Sequence, residues 1–229
     1  MSEDNGIGTL RETSLHAELK QWYRQAGDRL EAPVDGYLID IVRGDRLIEI
    51  QTGNFTALRS KLRRLLPNWP VLVVYPIAQA KWICRIKRDG RQVARRKSPK
   101  RGRVVDLFGE LVRLPALATH ANLAFEVLLT QEEEVWRDDG QGSWRRKGWS
   151  IADRRLLKVV DRQLFSEPQD FLKLIPAELD GPFTNRDLAQ ALDTRRRTAE
   201  RMSYCLRKMG LLQTVGKQGR FNLYAPANH

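Results

Sequence analysis

Apolar residues recur along the first third of the chain in two alternating rhythms. Leu15, Leu19 and Trp22 repeat at helical spacing behind Ser14, which predicts a helix over roughly residues 15–26 capped by that serine, with Glu18 on the side of the apolar stripe. Residues 36–52 switch to a period of two and predict two strands around a tight turn. The helical rhythm then returns, with Phe55, Leu58, Leu62 and Leu65 on one side, and Arg59, Lys61, Arg63 and Arg64 elsewhere. Asn54 can cap this helix and Pro67 stops it. "PVLVVYPI", 70–77, is the continuous apolar run of a strand buried on both faces. Reached through a helical crossover, it should lie parallel to its neighbour.

Further on, "KWICRIK" and "RQVARRK" predict a second hairpin about Asp89-Gly90, followed by the basic loop "SPKRGR" and a helix over about 103–114. "FEVLLTQEEEVWR" and "SWRRKGW" read as strands pairing across Asp139-Gly140, with a helix as the alternative for the first, and Glu132, Glu133 and Glu134 read as a solvated face. From Ser150 the pattern predicts helices at 151–165, near 169–175, and in "TNRDLAQAL" and "TRRRTAERMSYCLRKMG", then a hairpin around "GKQG". The chain divides on this reading into residues 1–115, a connecting segment 116–149 and residues 150–229.

The first hairpin carries candidate chemistry. With Gly44-Asp45 as a two-residue turn, Asp40 falls opposite Glu49. Strand alternation places Asp40, Glu49 and Gln51 on one face and Ile39, Ile41, Ile48 and Ile50 on the other. Two unit charges about 5 Å apart repel by roughly 3 kcal/mol at an effective dielectric near 20. Protonation of one acid, a nearby Lys or Arg, or a divalent cation would relieve that cost. Two carboxylates with water suit Mg²⁺ or Mn²⁺, and Glu18 could add a third oxygen.

Charge adds a partner. The net charge is +12, and it is concentrated: between Lys81 and Arg103, 11 Lys/Arg stand against Asp89 alone, and between Thr194 and Arg220, 8 stand against Glu200 alone. Confined basicity of this kind suits nucleic acid, DNA or RNA, because each cation near a phosphate releases counterions. Cys84 and Cys205 are the only cysteines and lack metal-ligand spacing, so neither a disulfide framework nor a zinc module is indicated. The polar, acidic start and the lack of a long apolar run predict no signal peptide, no membrane partner and a cytoplasmic location.

A helix bearing Glu18, then Asp40, then Glu49-Ile50-Gln51, a second helix and a buried strand together resemble the core of the PD-(D/E)XK nuclease superfamily, with "EIQTGNF" where the E-x-K motif stands. The resemblance covers roughly residues 10–80. It implies an α/β, restriction-endonuclease-like αβββαβ mixed-sheet core and a Mg²⁺- or Mn²⁺-dependent nuclease. Asp40 and Glu49 would be the metal ligands, and Glu18, Asp40, Glu49 and Gln51 the catalytic set. The sequence departs from that pattern in two ways: no proline precedes Asp40, and Gln51 replaces the usual lysine. Glutamine at this place also occurs in active members, where it positions water. Lys61, Arg59 or Lys20 could supply a displaced cation, and His16 reads as structural.

"FTNRDLAQALDTRRRTAERMSYCLRKMGLLQTVGKQGRFNLYAP" resembles a winged helix-turn-helix. Thr184 caps its first helix; the second turns Ala199, Met202, Leu206 and Met209 inward and ends at Gly210, and the wing tip, Gly216 to Gly219, carries Lys217. The expected DNA contacts are Arg95, Arg96, Lys97, Lys100 and Arg101 from the basic hairpin and loop, and Arg195, Arg196, Arg197, Arg201 and Lys217 from the winged helix. The leading expectation is a metal-dependent endonuclease acting on duplex or branched DNA, for which paired cuts would need a homodimer. The alternative is a non-catalytic DNA-binding protein or regulator with a degenerate nuclease core, with an RNA-binding or RNA-processing factor as a third reading.

Overall fold

The computed structural model describes residues 13–227, so the polar first residues read from the sequence lie outside it. Its centre is an α/β arrangement about a mixed seven-stranded sheet. Helix α1 (Ser14–Tyr23) leads into the antiparallel strands β1 (Arg29–Val34), β2 (Tyr37–Arg43) and β3 (Arg46–Ile50). Helix α2 (Phe55–Leu65) crosses over to β4 (Val71–Ile86), which runs parallel to β3 with Glu49 beside Val73. Strand β1 buries only Ala32, so no apolar alternation marked it in the sequence.

The two helices cover opposite faces of the sheet. Leu15 and Leu19 of α1 pack on Ile41, Ile48, Ile50, Leu72, Val74 and Leu128. Phe55, Leu58, Leu62 and Leu65 of α2 pack on the face that holds Leu47, Val73 and Phe125. Each such fully buried side chain stabilises the fold by about 2 kcal/mol, which is why these stripes could be read directly as core.

The sheet is larger than the sequence pattern indicated. Strand β4 continues past Ile77 to Ile86, with Gln79 bulged out between Ala78 and Ala80, so "KWICRIK" is its second half. Its partner β5 (Gln92–Lys97) pairs as expected about the turn, Trp82 beside Lys97. Strand β6 (Leu123–Asp138) lies parallel to β4, and β7 (Trp149–Phe165) antiparallel to β6.

Residues 151–165, expected to be helical, are therefore strand. Ala152, Leu157 and Val160 are each inserted as a bulge opposite β6, and the shifts break the period of two into spacings that imitate a helix. The segment 116–149 contributes a central strand, and the sheet ends only at Phe165. Glu132 and Glu134, expected on a solvated face, are buried on β6. Lys81 and Arg154 approach Glu134 at 2.6 and 3.6 Å, and Thr130 Oγ1 donates to Glu132 at 2.6 Å.

Beyond the sheet come α4 (Asn185–Ala191), α5 (Arg196–Lys208) and a two-stranded sheet, β8 (Leu212–Gln218) and β9 (Phe221–Pro226). Thr184 caps α4 by accepting from the Arg186 and Asp187 N–H groups, and Gly210 ends the α5 segment at φ +77°. Gln218 pairs with Phe221, so Lys217 lies within the hairpin opposite Asn222 rather than at its tip.

The helix expected at 103–114 shortens to a 3₁₀ turn, Val104–Leu107, and α3 (Phe108–Leu111), which packs against α5. The preceding basic loop is pinned to β4 by Gly102 N–H donating to Ala78 O at 2.8 Å. A Cβ at Gly102 would meet Ile77 Cγ2 at 2.5 Å and Ala78 O at 2.6 Å. Gly102→Ala is expected to cost about 2 kcal/mol, seen as a lower urea midpoint, because the loop must lift from the strand. Gly181→Ala, where a Cβ meets nothing within 4 Å, should leave the midpoint in place.

Candidate functional site

The site forms where β2 and β3 part. Gly44 takes φ +59° in the turn, and Arg43 pairs with Arg46, Val42 with Leu47 and Ile41 with Ile48, the register expected. Asp40 and Glu49 would be next, but the ladder ends at Ile41 and Ile48. Strand β2 follows β1, Ile39 beside Ala32, while β3 stays with β4. Glu31, between the pairs formed by Leu30 and Ala32, has φ +48°, a left-handed kink, and Ile39 crosses to the core on the α2 side. The expectation that all four isoleucines share a face is corrected there, since only Ile41, Ile48 and Ile50 stay on the α1 side.

Asp40 fills the gap this leaves. Its Oδ2 accepts from Ile50 N–H at 2.8 Å, and its Oδ1 lies 2.9 Å from His16 Nε2 on α1. Burial works to raise its pKa, but the His16 contact, the Ile50 N–H and the charge of Lys20 outweigh it and hold the carboxyl below its ordinary range. Asp40 is thus an anion at neutral pH.

Glu49 is different. Burial pushes its pKa up to about 7; Lys61 and the Asp40 backbone N–H pull the other way and the Asp40 carboxylate adds to the rise. Lys61 Nζ stands 2.6 Å from Glu49 Oε1, yet off the direction of a hydrogen bond, so that buried oxygen has charge compensation without a directed donor. The same ammonium donates to Leu38 O at 2.6 Å. Two neighbouring carboxylates, one firmly ionised and one poised near neutrality, are the result.

The other two residues of the expected catalytic set have different partners. Gln51 donates its side-chain amide to Gly53 O and reaches Asn54 O at 3.5 Å, folding onto its own loop. Glu18 Oε2 accepts from Leu156 N–H at 2.5 Å and so joins α1 to β7. The α1 residue that meets Asp40 is His16, a lone histidine that reads as structural from the sequence. Of the three displaced cations considered, Lys61 reaches Glu49, Lys20 pairs with Glu31 at 2.7 Å, and Arg59 is exposed.

Asp40 and Glu49 offer hard oxygen ligands of the kind that suits Mg²⁺ or Mn²⁺, which accept few protein ligands and keep several waters, with Lys61 standing against Glu49 Oε1. Among the described residues no group of three or more His, Cys, Asp or Glu is placed to hold a metal, so water and phosphate would complete the shell.

A cleft of about 370 Å³ opens beside Thr52, just past the end of β3, between β4, the basic loop and α5. Lys81, Lys100, Arg113, Arg154 and Arg201 line it with Asp106, Glu110 and Glu132. Arg201, expected among the outward DNA contacts, points here: a Cβ on Gly109 of α3 would lie 3.3 Å from its Nη1. The other expected contacts are exposed. Arg95 and Lys97 of β5 stack on Trp82, Arg95 also pairing with Glu133 at 2.7 Å, while Arg96, Lys100 and Arg101 extend from β5 and the loop. Arg195, Arg196 and Arg197 crowd the start of α5, with Arg196 held 2.9 Å from Glu200, and Lys217 projects from β8.

Cys84 and Cys205 are free and buried, and no helix among the described residues is long and apolar enough to cross a membrane. An uncharacterized protein of Treponema pallidum (strain Nichols) is 34% identical over 222 residues, 95% of this chain and 86% of that protein. No solved structure matches. The model of a family described as "Domain of unknown function (DUF8091)" matches residues 13–166, a span that begins at the residue before α1 and ends at the residue after β7. Since the match takes in the whole seven-stranded sheet and more than half of the sequence, the chain belongs to the DUF8091 family.

Proposed function

We propose that this protein is a cytoplasmic, metal-dependent DNA endonuclease of PD-(D/E)XK type, whose region from α4 to β9 acts as a winged helix that binds duplex. The observation that carries the reading is Glu49 at the point where β2 and β3 separate, with the Asp40 N–H and carboxylate near it and Lys61 Nζ at 2.6 Å. Lys61 brings from α2 the positive charge that Gln51 does not supply from β3. The basic segments around Lys100 and Arg197 support nucleic acid as the partner.

In this reading water attacks phosphorus, one P–O bond forms and the bond to the leaving oxygen breaks, that oxygen taking up a proton. A divalent cation held by Asp40 and Glu49 would supply Lewis acidity and neutralise phosphate charge. Asp40, fixed by His16 and Ile50 N–H, sets the position of the site. The Lys61 ammonium steadies the charge that builds on the phosphate oxygens. One such site per chain cuts one strand, so paired cuts would require a second copy.

A second reading has its own observation. His16 already stands against Asp40 and Lys61 against Glu49, so both acids are compensated within the chain, as in a DNA-binding protein whose core has lost chemistry. Incubation with plasmid, linear duplex, single-stranded and forked DNA, and an RNA oligonucleotide, in Mg²⁺, Mn²⁺ or EDTA, separates the two. Cleavage is expected with metal, none in EDTA, and none with Asp40→Asn. Binding without cleavage of any substrate would establish the second reading instead.

A further inference from the structure

The cleft beside Thr52 carries a charge imbalance that the hydrolytic site does not use. Its acids are already engaged: Glu110 Oε2 accepts from Phe55 N–H at 3.0 Å, Asp106 Oδ2 from Arg103 N–H at 3.0 Å, and Glu132 Oε1 from Thr130 at 2.6 Å. Lys81 and Arg154 share Glu134. Lys100, Arg113 and Arg201 come from three separate segments, the basic loop, the turn after α3, and α5, and none has an acid within ion-pair distance among the described residues. Five cations line the concavity against three carboxyl groups, a formal excess of two positive charges, which favours an anion there.

The size of the cleft restricts that anion. Its volume of about 370 Å³ lies at the small end of ligand sites, enough for roughly one nucleotide and too little for a duplex. Tyr75, half-buried in the wall, offers a ring against which a base can stack.

Helix α5 relates the cleft to a duplex. Ala199, Met202, Cys205 and Leu206 are buried, while Arg197, Tyr204 and Lys208 form an exposed flank. Arg201 lies on that same stripe, one turn from Arg197 and one from Tyr204, and its side chain turns toward α3 and the cleft. One stripe of the helix thus carries cations that face open solvent at Arg197 and Lys208 and a cation that enters, at Arg201, a space that admits a single strand.

Resting on the nuclease reading above, we propose that the substrate is DNA with a junction between duplex and single strand. The duplex lies along the exposed flank of α5 and the hairpin bearing Lys217. One strand leaves it through the cleft, its phosphates against Lys100, Arg113 and Arg201, and passes Thr52 toward Asp40 and Glu49.

Fluorescence anisotropy in EDTA, where nothing is cut, tests this with a labelled fork, a blunt duplex of the same paired length and the single-stranded tail alone. The fork is expected to bind about tenfold tighter than either of the others. Lys100→Glu, Arg113→Glu and Arg201→Ala should each reduce that preference to about threefold or less, with blunt-duplex affinity kept, whereas Lys217→Ala weakens fork and duplex alike. Arg201 also packs beside Gly109, so if Arg201→Ala unfolds, the two reversals at exposed positions carry the result. Equal affinity for fork and duplex, a tail that binds as tightly as the fork, or a preference that survives both reversals overturns the proposal. Parallel incubation of the same fork with Mn²⁺ keeps the two ideas apart: fork preference without cutting removes only the nuclease reading, and cutting without fork preference removes only the junction.

Discussion

Glu49→Gln is expected to lower metal-dependent cleavage by about 10³-fold or more, since losing a ligand to a catalytic cation forfeits several kcal/mol in the transition state. The amide keeps the volume of the side chain, so packing at this buried position survives and DNA binding in EDTA should hold. Lys61 loses its counter-charge but retains Leu38 O, and at 16% side-chain exposure its ammonium can reach water. The wild type should also show an acidic limb, at or below about pH 7, that moves to lower pH as the metal concentration rises, because the proton on Glu49 competes with the cation. Stability carries the same signature with a definite sign. The folded pKa, about 7, lies above the ordinary 4.5, so the folded chain holds this proton more tightly than the unfolded one. The contribution is greatest below about pH 4.5 and is lost as the pH rises through 7, on the order of 3 kcal/mol across that window. Chemical denaturation at pH 5 and pH 8 should show the wild type losing stability relative to Glu49→Gln. Identical curves for the two proteins at both pH values would mean that Glu49 is not the buried, proton-holding acid described.

How much of this was legible in the sequence depends on how local each feature is. The turn at Gly44-Asp45 fixes its register within a few residues, and so Ile41 against Ile48 followed from spacing alone. The stripe Phe55, Leu58, Leu62 and Leu65 likewise needs only helical periodicity. Strand β7 was misread because three bulges replace its alternation with irregular spacings, an effect created by pairing with β6 and absent from the segment taken alone. Asp40 and Glu49 were found as neighbours, but the parting of β2 from β3, and with it the partnership of Asp40 with Ile50 N–H and His16, follows from β2 turning toward a strand that left no apolar trace. Lys61 was one of three displaced cations the sequence could name. Its choice over Arg59 and Lys20 is set by the rotation of α2 on the sheet, which places Lys61 at the edge of the buried stripe, next to Leu62.

Lys61→Met is expected to reduce cleavage by about 10²-fold, the scale of removing one preorganised charge from a developing anion. Methionine retains much of the apolar stem that packs beside Leu62, so the variant isolates the charge. Its diagnostic consequence is a pH effect. Among the influences that lower the Glu49 pKa, the charge of Lys61 is the largest, so without it the carboxyl rises further and the acidic limb of the activity profile moves to higher pH. Arg59→Ala, at an exposed position on the same helix, should leave the limb where it is. Adding Gln51→Lys to Lys61→Met returns a cation to β3 and should recover about tenfold in rate, at a cost of about 1 kcal/mol for the lost bond from Gln51 to Gly53 O. A Lys61→Met enzyme that cuts at the wild-type rate with an unmoved limb would reduce Lys61 to a surface lysine resting on Glu49. A shifted limb together with rescue by Gln51→Lys would instead show that the site needs one positive charge and accepts it from either the helix or the strand.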